Sequence, residues 1–188
     1  PLGASAQQRA DRSDLTMRRA QKLFVRGMTQ SYLEDHEEAV AYFEKALEVS
    51  PGEPAILMAL AEAEAARDNL TSALYYARQA REGAPKPYYA HQLAALLEKA
   101  GRPQEAAATY RTLLTKFPGY NEVRLPFARL QAKLNQPKKA LATYEAFVDS
   151  VNRPAPVVYT EMLNLYEEIG DEQGLERTLQ TLIDRRRS

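Results

Sequence analysis

The sequence predicts an all-α protein, a right-handed superhelical array of antiparallel helix pairs with about ten helices in all. Three observations carry this expectation. Small residues recur at a fixed interval: Ala39, Ala73, Ala106 and Ala140 are separated by 34, 33 and 34 residues. Prolines repeat the interval, with Pro51, Pro85 and Pro118 separated by 34 and 33. A period of that length held by several anchors marks a repeat array. The chain has only 8 glycines in 188 residues, which favours helices over turn-rich β architecture.

The first residues, "PLGASAQQ", allow two readings. Ala4-Ser5-Ala6 before Gln7 is the small-x-small pattern that precedes a signal-peptidase cut. On that reading residues 1–6 end a bacterial export signal, and the chain works in the periplasm. On the other, Pro1-Leu2-Gly3 is left over from a cloned protease site and the chain is cytoplasmic. Residues 1–12 are expected to form an N-terminal arm. The first helix is expected over residues 13–33, capped by Ser13 or Asp14.

The repeats then follow at about 20–53, 54–86, 87–120, 121–155 and 156–188, so residues 13–188 make one helical repeat domain. Each divides into a leading and a trailing helix. Between the two stand residues that end helices: Asp35, Asp68-Asn69, Gly101-Arg102-Pro103 and Asn135-Gln136-Pro137. Gly101 suits the left-handed position that closes a helix. Pro87, Pro103 and Pro137 suit a first helical position, where a missing N–H costs nothing.

The alanine anchors have a steric reason. Two antiparallel helices joined by a short turn approach closely only where one lacks a bulky side chain. Ala39, Ala73, Ala106 and Ala140 supply that notch, with Phe43, Tyr110 and Tyr144 beside it. Ala46, Ala80, Leu113 and Phe147 form a second inward set at helical spacing. In the fourth leading helix, "NEVRLPFARL", Pro126 either distorts the helix beyond its first turn or marks one that starts late, near Leu125. The fifth repeat is degenerate. Leu175 stands where the alanine would be, Gly170-Asp171 mark the turn, and Arg185-Arg186-Arg187 complement the negative end of the last helix dipole.

These residues resemble the tetratricopeptide repeat over about residues 20–152, in four copies. The carriers are the alanine anchors, the aromatic four residues on in three copies (Phe43, Tyr110 and Tyr144), the closing prolines of the first three, and Gly27 and Gly101. Tryptophan is absent, so the place where the family often carries it is filled by Leu23, Leu57, Ala90 and Arg124. The resemblance implies a groove lined by the leading helices. Carried over by position, its lining includes Phe24, Met28, Met58, Glu62, Tyr88 and His91 in the first three repeats. Leu125, Arg129, Lys133, Thr160 and Asn164 continue it in the last two. Phe24, Met28 and Met58 are expected to form an apolar, adaptable patch. Tyr88, His91, Arg129 and Lys133 are expected to give a polar, partly cationic middle. An alternative is that Phe24 and Met28 pack under the N-terminal arm. Family members that grip the carboxylate tail of heat-shock chaperones carry Lys and Asn where Phe24 and Met28 stand, so that activity is not expected.

Composition narrows function further. Lys plus Arg and Asp plus Glu number 25 each, for zero formal net charge, which removes the usual reason to expect nucleic acid or an anionic membrane surface. No apolar run approaches the roughly 20 residues of a membrane span. The chain has no cysteine, hence no disulfide, thiolate metal site or cysteine nucleophile. His36 and His91 fall in different repeats, neither with a second ligand at metal spacing. Glu62 and Glu64 lie two apart on one helix and so point in different directions. Glu34, Asp35, Glu37 and Glu38 surround a helix start, where negative charge is favoured by the dipole. No glycine-rich phosphate loop occurs. The expectation is therefore no catalytic, metal or cofactor site, and a non-catalytic module binding a peptide or protein segment. The alternatives are a self-associating or structural scaffold, in which the partner is a second copy, and an accessory domain of a larger enzyme.

Overall fold

The computed structural model describes the backbone of residues 6–187 and the side chains of residues 13–184. Among the described residues it contains ten α-helices and one 3-10 turn, and no strand. The helices are α1 (Ala6–Tyr32), α2 (His36–Val49), α3 (Pro54–Ala66), α4 (Leu70–Gly83) and α5 (Pro87–Lys99). After them come α6 (Pro103–Lys116), α7 (Arg124–Lys133), α8 (Pro137–Ser150), α9 (Pro156–Ile169) and α10 (Glu172–Arg187). They gather into two compact units that divide between Arg102 and Pro103.

Helix α1 departs from expectation. It begins at Ala6 rather than near residue 13 and absorbs most of the expected arm. The stretch "AQQRADRSD" holds good helix formers and neither Gly nor Pro, so nothing stops the helix from propagating. Ser13 and Asp14 are therefore interior residues and not caps, and Asp14 pairs one turn on with Arg18 at 2.8 Å. Residues 6–12 continue the helix that carries Phe24 and Met28, so they do not fold back over those side chains. Ala4 and Ser5 lie outside the described residues, as do the side chains of Arg185, Arg186 and Arg187.

Every leading helix ends in the same way. Glu34, Asp68, Gly101, Asn135 and Gly170 all adopt positive φ, between 55° and 71°. The residue after each donates its N–H back to the carbonyl five before it: Asp35 to Gln30 at 3.0 Å, Asn69 to Glu64 at 2.9 Å, Asp171 to Tyr166 at 2.9 Å. These are left-handed Schellman closures, which satisfy the last carbonyls of the helix. Only Gly adopts that conformation without cost, whereas an L-residue loses roughly 1 kcal/mol there. Glu34→Gly is accordingly expected to raise the unfolding free energy by about 1 kcal/mol, and Gly170→Ala to lower it by a similar amount. Urea denaturation of both variants checks the pair of signs.

The trailing helices start by one of two devices. Asp35, Asn69 and Asp171 accept the N–H of Glu38, Ser72 and Gly174 at 3.1, 3.4 and 2.9 Å. Such caps satisfy one of the orphaned first-turn donors. Where a capping side chain is lacking, Pro103 and Pro137 stand first in α6 and α8.

The alanine anchors Ala39, Ala73, Ala106 and Ala140 are all fully buried, with Phe43, Tyr110 and Tyr144 beside them at 0, 1 and 2% exposure. In the first unit Ala39, Val40, Phe43 and Ala46 of α2 meet Ile56, Ala59, Leu60 and Ala63 of α3 in one core. In the second, Ala140, Leu141 and Tyr144 of α8 meet Val158, Tyr159, Met162 and Leu165 of α9. At the first pair Gly27 is the close-approach point: a Cβ there would lie 2.5 Å from the Phe43 ring. At the last pair Leu175 occupies the anchor place but is only half-buried. The close approach passes instead to Gly174, whose Cβ would lie 2.3 Å from the ring of Tyr166.

The irregular entry at Pro126 resolves into a late start. Asn121–Val123 form a 3-10 turn, and α7 begins at Arg124, which puts Pro126 inside its first turn. Arg124, the odd residue where the family often carries tryptophan, clamps this entry. Its Nε donates to Asn121 Oδ1 and its Nη2 to the Pro118 carbonyl, both at 2.8 Å.

Candidate protein-binding surfaces

In the first unit, Met17, Gln21, Phe24, Met28 and Tyr32 succeed one another at three or four residues and share one side of α1. Phe24 is half-buried, its ring centroid 5.7 Å from that of Phe43. Met17, Met28 and Tyr32 remain exposed, at 66, 46 and 89%. Beside the upper half of this stripe a cleft of about 590 Å³ opens between α1 and the start of α3. Met17, Ala20, Phe24 and Ile56 supply its apolar wall, and Ser13, Gln21, Ser50 and Glu53 its polar rim. That is the size and lining of a site for an apolar side chain or small ligand.

Met58 does not join this patch. It is 2% exposed and part of the core. Helix α3 is apolar almost all round, with Ile56 to Ala61 buried without a break, so the place of Met58 is covered along with the rest of that run. Glu62 is exposed on α3 and accepts the Tyr88 hydroxyl at 2.9 Å, linking two neighbouring leading helices. His91 is half-buried on α5, one turn beyond Tyr88. Glu64 points the other way, as its two-residue offset from Glu62 requires. It is buried, and its carboxylate accepts Asn69 Nδ2 at 3.0 Å. Lys99 Nζ donates to the carbonyl of Ala65.

In the second unit, Arg129 is the expected source of positive charge, but that charge is already matched. Its Nε lies 3.1 Å from both oxygens of Glu161, and its Nη2 lies 3.0 Å from Oε1. Tyr144 donates its hydroxyl to Glu161 Oε2 at 3.0 Å. The sequence reading missed Glu161, because its pairing depends on how α7 and α9 pack and not on any spacing along the chain. Lys133, Thr160 and Asn164 are exposed, and Leu125 is half-buried against the core. Thr160 Oγ1 donates back to the Pro156 carbonyl at 3.4 Å. Met17 was also missed. The signal available for it was the run of three- and four-residue spacings continuing upstream of Gln21.

Burial pushes the Tyr144 hydroxyl well above the ordinary tyrosine range, and the bond to Glu161 adds to the effect. Burial raises Tyr166 likewise, with help from its bond to Glu145 at 2.6 Å. Both groups therefore keep their proton in the folded state at a pH where the unfolded chain has lost it. Stability is full below the unfolded value of about 10 and falls as pH rises through and beyond it. Denaturant midpoints measured between pH 8 and 11 are expected to drop at the alkaline end, with a shallower drop for Tyr144→Phe and Tyr166→Phe.

Among the described residues no group of three or more His, Cys, Asp or Glu side chains is placed to hold a metal ion. No helix among them is long and apolar enough to cross a membrane. Nδ1 of His36, at the first residue of α2, is buried without a hydrogen-bond partner.

The tetratricopeptide repeat pattern matches residues 24–89 and again residues 97–154. The chain belongs to the tetratricopeptide repeat family. It is thereby a member of a family of protein–protein interaction modules. Solved structures agree on the fold. YrrB, described as a tetratricopeptide repeat protein with an unusual peptide-binding site, is 16% identical with a TM-score of 0.70, over 97% of this chain and 93% of its own. MamA is 13% identical with a TM-score of 0.75, covering 88% of this chain and 90% of that one. A tetratricopeptide repeat protein from Parabacteroides merdae ATCC 43184 is 20% identical with a TM-score of 0.75, covering 89% and 67%. Comparison by sequence with curated proteins gave no match.

Proposed function

We propose that this tetratricopeptide repeat chain is a non-catalytic module that holds a helical or extended protein segment along α1 of the first unit. The observation that carries this reading is the exposed apolar stripe of α1 beside its cleft. An apolar anchor of the partner fills the cleft next to Phe24, and the two methionines adapt to its shape. Glu53 at the rim and Glu62 beyond it favour neutral or basic groups flanking that anchor. Similarity to YrrB, itself described as having a peptide-binding site, supports the same reading. In the second unit Lys133 is placed to meet an acidic group, since Arg129 is held by Glu161.

Capture from a cell lysate tests the assignment, using the wild-type chain beside Met17→Asp with Met28→Asp. Both positions are exposed, so the variant is expected to melt like the wild type. Losing two apolar contacts of about 1–2 kcal/mol each is expected to weaken a partner by about thirtyfold to a thousandfold. Captured proteins that persist undiminished would remove the α1 stripe from consideration. Loss instead in a Lys133→Glu variant would move recognition to the second unit.

A further inference from the structure

The repeat itself supplies an internal standard for judging an exposed face. Each leading helix after the first buries a stripe against the trailing helix before it, as Ile56, Leu60 and Ala63 do on α3 and Val158, Met162 and Leu165 do on α9. The places on α1 that lie 34 residues before those of α3 are Lys22, Arg26 and Thr29, all exposed. Arg19 shares that face, so the surface that would stack on a preceding trailing helix is cationic. Arg26 also lies 5.9 Å from the Tyr42 ring centroid.

The same standard applies to the trailing helices. Val40 and Phe43 on α2, like Leu141 and Tyr144 on α8, are buried under the next leading helix. Thirty-five residues beyond that last pair stand Glu176 and Leu179 on α10. Glu176 is exposed, Leu179 is 48% exposed, and Ile183 one turn on is 46% exposed. Glu172, also exposed, lies on the same side of the helix. The face is apolar along its centre and acidic at its N-terminal end.

We propose that these two faces recognise each other between copies, so that α1 of one molecule stacks on α10 of the next and continues the repeat. Two arguments select a second copy as the occupant. One is continuity: a leading helix is what covers the equivalent face of the earlier trailing helices. The other is charge. In that antiparallel stacking Arg26 meets Glu176 and Lys22 meets the exposed Asp184, while the aliphatic stems of the two cations lie over Leu179 and Ile183. Such a contact joins two different patches, so it is heterologous rather than isologous. A single helix face is small, which makes the association weak and salt-sensitive.

Sedimentation equilibrium of the whole chain tests this, with two surface variants whose folding is followed by circular dichroism. Variant one is Lys22→Glu with Arg26→Glu, and variant two is Leu179→Ser with Ile183→Ser. The wild-type mass is expected to rise with concentration and to return toward monomer in high salt. Each variant alone is expected to associate at least tenfold more weakly. Mixed together they are expected to form a one-to-one pair and nothing larger, because each retains the face that the other has lost. A wild type that stays monomeric at millimolar concentration overturns the proposal. So does association that survives in either variant alone, or a mixture in which no pair forms.

Discussion

Gly27→Ala is expected to destabilise the protein by about 2 kcal/mol, although helix propensity alone predicts a gain of about 1 kcal/mol for the same change. Gly27 lies inside α1, where alanine is the better helix former. Against that, the added Cβ would sit 2.5 Å from Cε1 and 2.6 Å from Cδ1 of Phe43. The ring cannot swing aside, because Phe43 is fully buried among Ala39, Ala46 and Leu60. The helices must therefore separate, and every contact in that core loosens with them. Urea denaturation decides the sign. A double-mutant cycle with Phe43→Leu locates the cause: the ring truncation should cost at least about 1 kcal/mol less in the Gly27→Ala background than in the wild type. A stabilised Gly27→Ala variant would mean that the first helix pair is not closely packed at this point.

Gly174→Ala is expected to cost as much, with a second signature. Its Cβ would lie 2.3 Å from two carbons of the Tyr166 ring. The two pairs solve one problem in opposite ways: in the first the glycine is on the leading helix and the ring on the trailing one, and in the last these roles are exchanged. Moving the Tyr166 ring also strains its hydroxyl bond to Glu145. The loss of about 2 kcal/mol in Gly174→Ala should therefore come with a weaker alkaline dependence of stability, approaching that of Tyr166→Phe. Gly27→Ala alters no contact of Tyr166 or Glu145, so the part of that dependence which Tyr166→Phe removes should remain. Denaturant midpoints at pH 8 and pH 11 for the two variants separate the effects.

The part of the molecule that repeats was legible in the chain alone. Four buried alanines at a spacing of 33 or 34, and prolines opening α5, α6 and α8, follow from sterics that act within a few residues or within one helix pair. The opposite directions of Glu62 and Glu64 follow from helix periodicity. Packing settled the features that depend on what a neighbouring element presents. Met58 occupies a position expected to line the groove, but α3 is buried without a break from Ile56 to Ala61 and takes the side chain into the core. Arg129 reads as a free cation until α9 brings Glu161 to within 3.1 Å of it. Glu34 carries no mark of a left-handed turn residue, and only the Schellman closure, enforced by the pairing of α1 with α2, holds it there. Leu175 keeps the anchor's place in the count, while Gly174 does the anchor's work because Tyr166 is larger than its counterparts Glu64, Leu97 and Gln131. Apart from the turn at Glu34, local rules fix where the helices after α1 begin, end and turn, since those choices rest on the backbone's own hydrogen bonds. Which side chains remain available to a partner is fixed only when the helices pack, because burial and charge pairing belong to two elements at once.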